Sequence, residues 1–170
     1  VNGRTTYMGY HFVKHKLLSD SHMRFHPLNP MRESNLVKFL SKQTDLKTGL
    51  ADYSVVNRGP EYLKRFFDKQ RKKGIRILVV DCIKESDLET IMQSSKGLRF
   101  ITGGSGIAQK AYAYYGEKAR KCEGQDLPCV KNKNIGTLII SGSCSEQTIA
   151  QNSFAKEKGL EIIKLDIGDI

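Results

Sequence analysis

Arg76-Ile77-Leu78-Val79-Val80-Asp81 is the stretch on which the fold turns. An apolar run without polar alternation, closed by an aspartate, is the pattern of a strand buried on both faces of a parallel sheet. Upstream, Gly59-Pro60 opens a helix predicted to reach about Lys73, with Pro60 in its first turn and Gly74 as its stop. Leu63, Phe66 and Phe67 form its apolar face, and Leu50 to Val56 before it reads as another strand. Downstream, Ser86 is expected to cap a helix carrying Leu88, Ile91 and Met92, and Arg99-Phe100-Ile101 reads as the end of a further strand. This alternation predicts an α/β fold on an open, mostly parallel sheet. Ligands of such sheets sit outside the carboxyl ends of the strands, which is where Asp81 would lie. Asp81 is a candidate site carboxylate, although a cap on the next turn is the simpler role for it.

Two loops on the same side draw the eye next. Gly103-Gly104-Ser105-Gly106 leads into a helix predicted over Ile107 to Lys118. Ser141-Gly142-Ser143-Cys144-Ser145 follows a predicted strand over Thr137 to Ile140, and leads into a helix over Gln147 to Lys158 and a strand over Glu161 to Leu165. Glycines allow backbone N–H groups to approach a ligand, and the start of a helix adds unpaired N–H groups and the positive end of its dipole. A single loop of this kind is most often only a tight connection. The pair suggests two places for anions, although neither loop matches a P-loop or a full G-x-G-x-x-G.

Nearer the N-terminus, Thr5 to Val13 is rich in β-formers, with Gly9 read as a bulge. Lys16 to Met31 is irregular, since Pro27 and Pro30 exclude a long helix. Ser34 is expected to cap a helix reaching about Gln43, with Leu36, Val37 and Leu40 on one face. Gly116 to Asn134 is polar, lacks periodicity and reads as an inter-domain linker.

Composition limits the function. A chain of 170 residues with 39% hydrophobic and 27% charged content is globular, and no apolar run approaches the roughly 18 residues that cross a bilayer. No membrane partner is expected. Cys82, Cys122, Cys129 and Cys144 are scattered, fit no common zinc spacing and read as free thiols of a cytoplasmic protein. The pairs His11/His15 and His22/His26 have a spacing that makes a metal site only on a helix, so no resident metal site is expected. The formal charge is +10, from 28 Lys+Arg against 18 Asp+Glu. Its positives lie along helix faces (Lys64, Arg65, Lys69, Arg71, Lys72, Lys73) and in the linker, without interleaved aromatics, so anionic small molecules suit it better than nucleic acid. A basic nucleic-acid-binding protein and a non-catalytic anion-binding module are the alternatives to an enzyme.

A family resemblance emerges from the order of several short motifs. Asn2-Gly3-Arg4-Thr5, Leu17-Leu18-Ser19, Met23-Arg24, His26-Pro27-Leu28, Pro30-Met31 and Asn35-Leu36, followed by the two glycine loops, resemble the four-carbon acid sugar kinases. The resemblance implies an ATP- and Mg2+-dependent enzyme that phosphorylates the 4-hydroxyl of 3-oxo-tetronate, threonate or erythronate. It implies that residues 1–120 are the later part of a sugar-acid-binding domain, 121–135 a linker and 136–170 the start of a nucleotide-binding domain. The family's Asp-Asp-Phe-Thr-Gly motif, with the catalytic base, would then lie before Val1, and further nucleotide loops after Ile170. The chain is accordingly expected to be an incomplete central segment, inactive by itself, that works with the remainder of a two-domain kinase and is compatible with a homo-oligomer.

On that reading a four-carbon acid presents one carboxylate and several hydroxyls. Arg4 and Arg24 are candidates for a bidentate carboxylate clamp, or else form surface ion pairs. His26 polarises a substrate hydroxyl or fixes its own loop. Gly103, Gly104, Ser105 and Gly106 would meet substrate oxygens or the transferring phosphoryl group. Ser141, Gly142, Ser143 and Ser145 would meet the nucleotide, as the resemblance implies.

Overall fold

Met8 and Gly9 both have positive φ, 52° and 77°, as a two-residue type I′ turn requires. Arg4–Tyr7 (β1) and Tyr10–Val13 (β2) therefore fold back on each other as an antiparallel pair, with Tyr7 opposite Tyr10. Gly9 closes a hairpin and is not a bulge. Lys16–Leu17 (β3) continues this small sheet antiparallel to β2. The structure, a computed structural model, describes residues 3–116, 138–143 and 145–165. The chain divides into two units, Val1–Gly124 and Gln125–Ile170.

After β3 come two 3-10 turns, Leu18–Asp20 and His22–Phe25, and then an irregular segment containing Pro27 and Pro30. The next helix, Leu36–Ser41 (α1), is capped by Asn35, whose side chain accepts from the Lys38 N–H at 3.0 Å. The expected cap, Ser34, is buried instead. Its hydroxyl accepts from Ser19 N–H at 2.8 Å and donates to Ser19 Oγ at 2.9 Å, closing the loop between them.

The parallel element is the pairing of Thr48–Ala51 (β4) with Ile77–Val80 (β5), Thr48 opposite Ile77 and Ala51 opposite Val80. The strand expected over Leu50 to Val56 stops at Ala51. Asp52 ends it by accepting the Ser54 and Val55 N–H groups on Oδ1, which starts the short helix Tyr53–Val56 (α2). Pro60–Lys72 (α3) begins and ends as its proline and glycine dictate, with Gly74 at φ 85°. Glu85–Ser94 (α4) is capped by Asp87 and not by Ser86: Asp87 Oδ2 accepts the N–H groups of Ile83 and Lys84, both at 2.9 Å. Ser105–Tyr115 (α5) packs on α4, and Glu146–Glu157 (α6) is the helix of the second unit.

The core of the first unit joins these pieces. Ala51, Val55, Val56 and Leu63 are buried together, with Tyr62, Phe66, Phe67, Leu78, Val80 and Ile91 packed around them. Leu63 is fully buried, worth about 2 kcal/mol in removed apolar surface. The chain is thus α/β, as its alternation predicted, with a parallel pair at the centre and an antiparallel three-stranded sheet that the expectation of a mostly parallel sheet did not include.

Three expected strands are not strands. Residues 99–101, 138–140 and 161–165 lie in no sheet, and Phe100, Leu138, Ile139, Ile140, Ile163 and Leu165 are exposed. β-formers alone do not make a strand, because each N–H and C=O needs a neighbour in the ladder, and none pairs with these segments among the described residues. The predicted linker over 121–135 and the cysteines Cys122, Cys129 and Cys144 lie outside the described residues. No helix among the described residues is long and apolar enough to cross a membrane.

Candidate functional site

The carboxyl end of the parallel pair is the place where the fold would put a ligand. There Asp81, fully buried, follows β5. Its Oδ1 accepts from Gly9 N–H at 2.9 Å, and its Oδ2 accepts from Tyr53 N–H at 2.9 Å and from Met8 N–H. Burial pushes its carboxyl above the ordinary range; the N–H groups of Gly9, Met8 and Tyr53 oppose that, and the Asp52 charge adds to it. With three backbone donors on two oxygens, Asp81 holds the hairpin turn against the start of α2. The expected cap on the next turn is made by Asp87 instead, while Asp81 ties two turns that are distant in sequence.

The same hairpin is fixed to the segment just after β5 by reciprocal backbone bonds between Thr6 and Cys82, both 2.9 Å. Burial, with the charges of Asp87 and Asp81, pushes the Cys82 thiol up to about 11, so it is a poor nucleophile at neutral pH. Arg4 lies exposed on β1 opposite Val13. On the next strand, His11 Nδ1 meets Thr6 Oγ1 at 2.9 Å. Burial and then the Arg4 charge lower the pKa of His11.

Arg24 and His26 share the segment after β3. Arg24 is exposed, and its Nη1 donates to the Ser19 carbonyl at 3.3 Å. His26 is half-buried, and its Nδ1 accepts from the N–H groups of Leu28 at 3.3 Å and Asn29 at 3.1 Å. Of the two roles expected for His26, fixing its loop is visible in the geometry. No hydrogen bond or ion pair joins Arg4, Arg24 or His26 to one another or to Gly103–Gly106 among the described residues. The structure brings Arg24 and His26 into one loop and leaves Arg4 on the hairpin.

The first glycine loop ends at Gly104, the N-cap of α5, which supplies no side-chain cap, and the first turn carries no acid. By helix geometry the N–H groups of Ser105, Gly106 and Ile107 have no intrahelical acceptor. A Cβ on Gly103 would come within 2.8 Å of Ile107 Cγ2, whereas one on Gly104 would meet open space. The first position needs glycine for packing; at the second, the absence of a side chain leaves the helix start uncovered.

The second loop behaves differently. Ser145 Oγ accepts from Thr148 N–H at 3.2 Å and bonds Thr148 Oγ1, while Ser143 Oγ accepts from Ser145 N–H at 3.2 Å. Ser141 Oγ accepts from Asn152 Nδ2 at 3.3 Å. Glu146 stands in the first turn of α6. The three hydroxyls accept hydrogen bonds within the loop and its helix, and an incoming phosphate would also meet the backbone N–H groups at 146 and 147, next to a carboxylate. Among the described residues no group of three His, Cys, Asp or Glu side chains converges to hold a metal ion.

Comparison with known proteins bears on this arrangement. Residues 1–111 match the family described as the sugar-binding N-terminal domain. A Brucella melitensis protein named 3-oxo-tetronate kinase is 35% identical over 162 residues, which are 93% of this chain and 36% of that protein. An Actinobacillus succinogenes protein of the same name is 38% identical over 151 residues, 89% of this chain and 35% of that one. A solved Haemophilus influenzae structure aligns with a TM-score of 0.66 at 32% identity, covering 92% of this chain and 37% of the other. The chain spans little more than a third of the length of the curated relatives it matches.

Proposed function

The chain belongs to the family of sugar-binding N-terminal domains, and from that premise we propose that it is the acid-binding part of a kinase acting on a four-carbon sugar acid. The observation that carries this reading is the similarity of about nine-tenths of the chain to proteins named 3-oxo-tetronate kinase. The substrate on this reading is 3-oxo-tetronate or its relatives threonate and erythronate, phosphorylated on the 4-hydroxyl with ATP in a cytoplasmic, two-domain enzyme. Residues 1–120 would serve the acid, 121–135 connect, and 136–170 begin the nucleotide-binding part.

Phosphoryl transfer depends mainly on positioning and charge stabilisation. The exposed guanidinium groups of Arg4 and Arg24 suit the acid's carboxylate. The uncapped start of α5 at Gly104 and Ser105 suits an anionic oxygen, because α5 adds the positive end of its dipole there, whereas Gly106 is buried beneath it. ATP, when bound, supplies the phosphoryl group; Ser141, Gly142, Ser143 and Ser145 would line it beside the N–H groups of 146 and 147 at the start of α6, while the Ser145 N–H is held by Ser143 Oγ. No step is assigned to Mg2+; among the described residues no three His, Cys, Asp or Glu side chains converge to hold a metal ion.

ADP release by the purified protein, with Mg·ATP and each of the three acids, tests the reading. Release dependent on one acid establishes the kinase and names its substrate. Binding of that acid without release places the chain as the acid-binding part alone, and a folded protein that shows no release and no binding defeats the proposal.

A further inference from the structure

His26 is described by its hydrogen bonds more fully than its place in an exposed loop suggests. The loop closes on itself at Met23, whose carbonyl accepts from the N–H groups of both His26, at 3.2 Å, and Met31, at 3.0 Å. Inside that closure the ring Nδ1 faces two backbone donors, Leu28 and Asn29. A backbone N–H can only donate, so Nδ1 must present its lone pair. In neutral imidazole the single proton then sits on Nε2, for which the described residues provide no hydrogen-bond partner. The opposite tautomer would aim an N–H at two N–H groups and lose both bonds.

We propose that His26 is locked as the Nε2–H tautomer and serves the acid-binding site as a neutral hydrogen-bond donor to a substrate oxygen, not as a base. The inference rests on the acid-binding reading above and narrows it. A base needs a free lone pair, and His26 has none: Nδ1 is occupied by Leu28 and Asn29, and Nε2 carries the proton. Arg24, two residues earlier, uses Nη1 toward Ser19 and keeps its other guanidinium donors. At these two residues the loop therefore offers only donors, which suits a ligand rich in acceptors: the carboxylate, ketone and hydroxyl oxygens of a 3-oxo acid. Because the closure at Met23 and the two bonds to Nδ1 already fix the ring, little orientational freedom is lost on binding.

Two substitutions in the full protein separate recognition from loop structure. His26→Asn puts an amide oxygen where Nδ1 accepts but does not reach the position of Nε2. His26→Gln reaches the Nε2 position with a donor but gives up the acceptor. Binding of 3-oxo-tetronate is measured by titration, while the amide resonances of Leu28 and Asn29 and the ring nitrogens of His26 are followed by NMR. We expect Nε2 protonated in the free protein. His26→Asn should leave the Leu28 and Asn29 amides in place yet weaken binding roughly tenfold, as loss of a hydrogen bond to a charged group would. His26→Gln should move those amides and retain more of the affinity. A proton on Nδ1, or wild-type binding by His26→Asn, overturns the inference. Binding that shifts the Gly103–Gly106 amides but not His26 overturns it while leaving the acid-binding reading intact, whereas no binding by the wild-type protein overturns both.

Discussion

The starts of α5 and α6 look alike in sequence and are opposites in structure. Both follow a short loop of glycines and serines. At α5 the N-cap is Gly104 and Ser105 is already inside the helix, so no side chain covers the first N–H groups. At α6 the serine falls one position earlier, at the N-cap, and Ser145 closes on Thr148 while Glu146 adds a negative charge. One residue of register decides whether a helix start is available to a ligand or satisfied by its own chain. Asp81 shows the satisfied case in its most complete form, with three N–H groups from two distant turns on one carboxylate.

The largest effect should come from opening what Asp81 closes. Asp81→Asn substitutes an amide N–H2 for one acceptor oxygen, stranding at least one buried backbone donor. We predict a loss of about 2 kcal/mol in urea unfolding, and an unchanged midpoint would remove Asp81 from the comparison. Closing what Gly104 leaves open is the next step. Gly104→Asp meets no steric obstacle and brings a capping carboxylate to α5. Thermal stability should hold or rise, while calorimetry should show binding of 3-oxo-tetronate weakened about tenfold, roughly 1.4 kcal/mol. Binding unaffected by that carboxylate would mean the uncovered helix start is not part of the site.

Ser145→Ala should cost about 1 kcal/mol, read as faster amide exchange over 146–157, because α6 loses the side chain that caps Thr148 N–H. The smallest effect concerns His11. Its folded pKa lies below the usual 6.5, so the unfolded chain binds more protons as the pH falls. The stability that depends on neutral His11 is therefore complete above pH 6.5 and declines as the pH drops through that value toward the folded one. His11→Gln should flatten this part of the profile of melting temperature against pH. A profile parallel to wild type would show that His11 does not titrate with folding.

What the sequence made legible is what local chemistry decides. Pro60 and Gly74 bound α3, the run before Asp81 is β5, and the alternation of strands and helices announced an α/β chain. The errors share a cause. Ser34 and Ser86 are good caps by type, but Asn35 and Asp87 sit where their oxygens reach the N–H groups in need. Leu50 to Val56 reads as one strand, and the cap at Asp52 turns its second half, Tyr53–Val56, into helix. Ile101 and Ile139 belong to β-forming runs, yet a strand is a property of two segments and neither has a second among the described residues. Among candidate site residues, the loop position of His26 was readable, whereas the atom it turns toward its own backbone was not, because that depends on how Pro27 to Met31 folds back.

The tie between the hairpin and Asp81 also sets an order of events in folding. β1 and β2 are neighbours in the chain and close within about 1–10 μs as an isolated hairpin does. The bonds from their turn to Asp81 span 73 and 72 residues, so they are expected to form after β4, α3 and β5 have assembled. The N–H groups of Met8 and Gly9 are therefore late reporters: tip amides of an early-forming turn whose protection against hydrogen exchange should match that of the whole first unit. A hairpin tip that exchanges slowly, where tips normally exchange fast, would identify the completed fold by a single pair of signals.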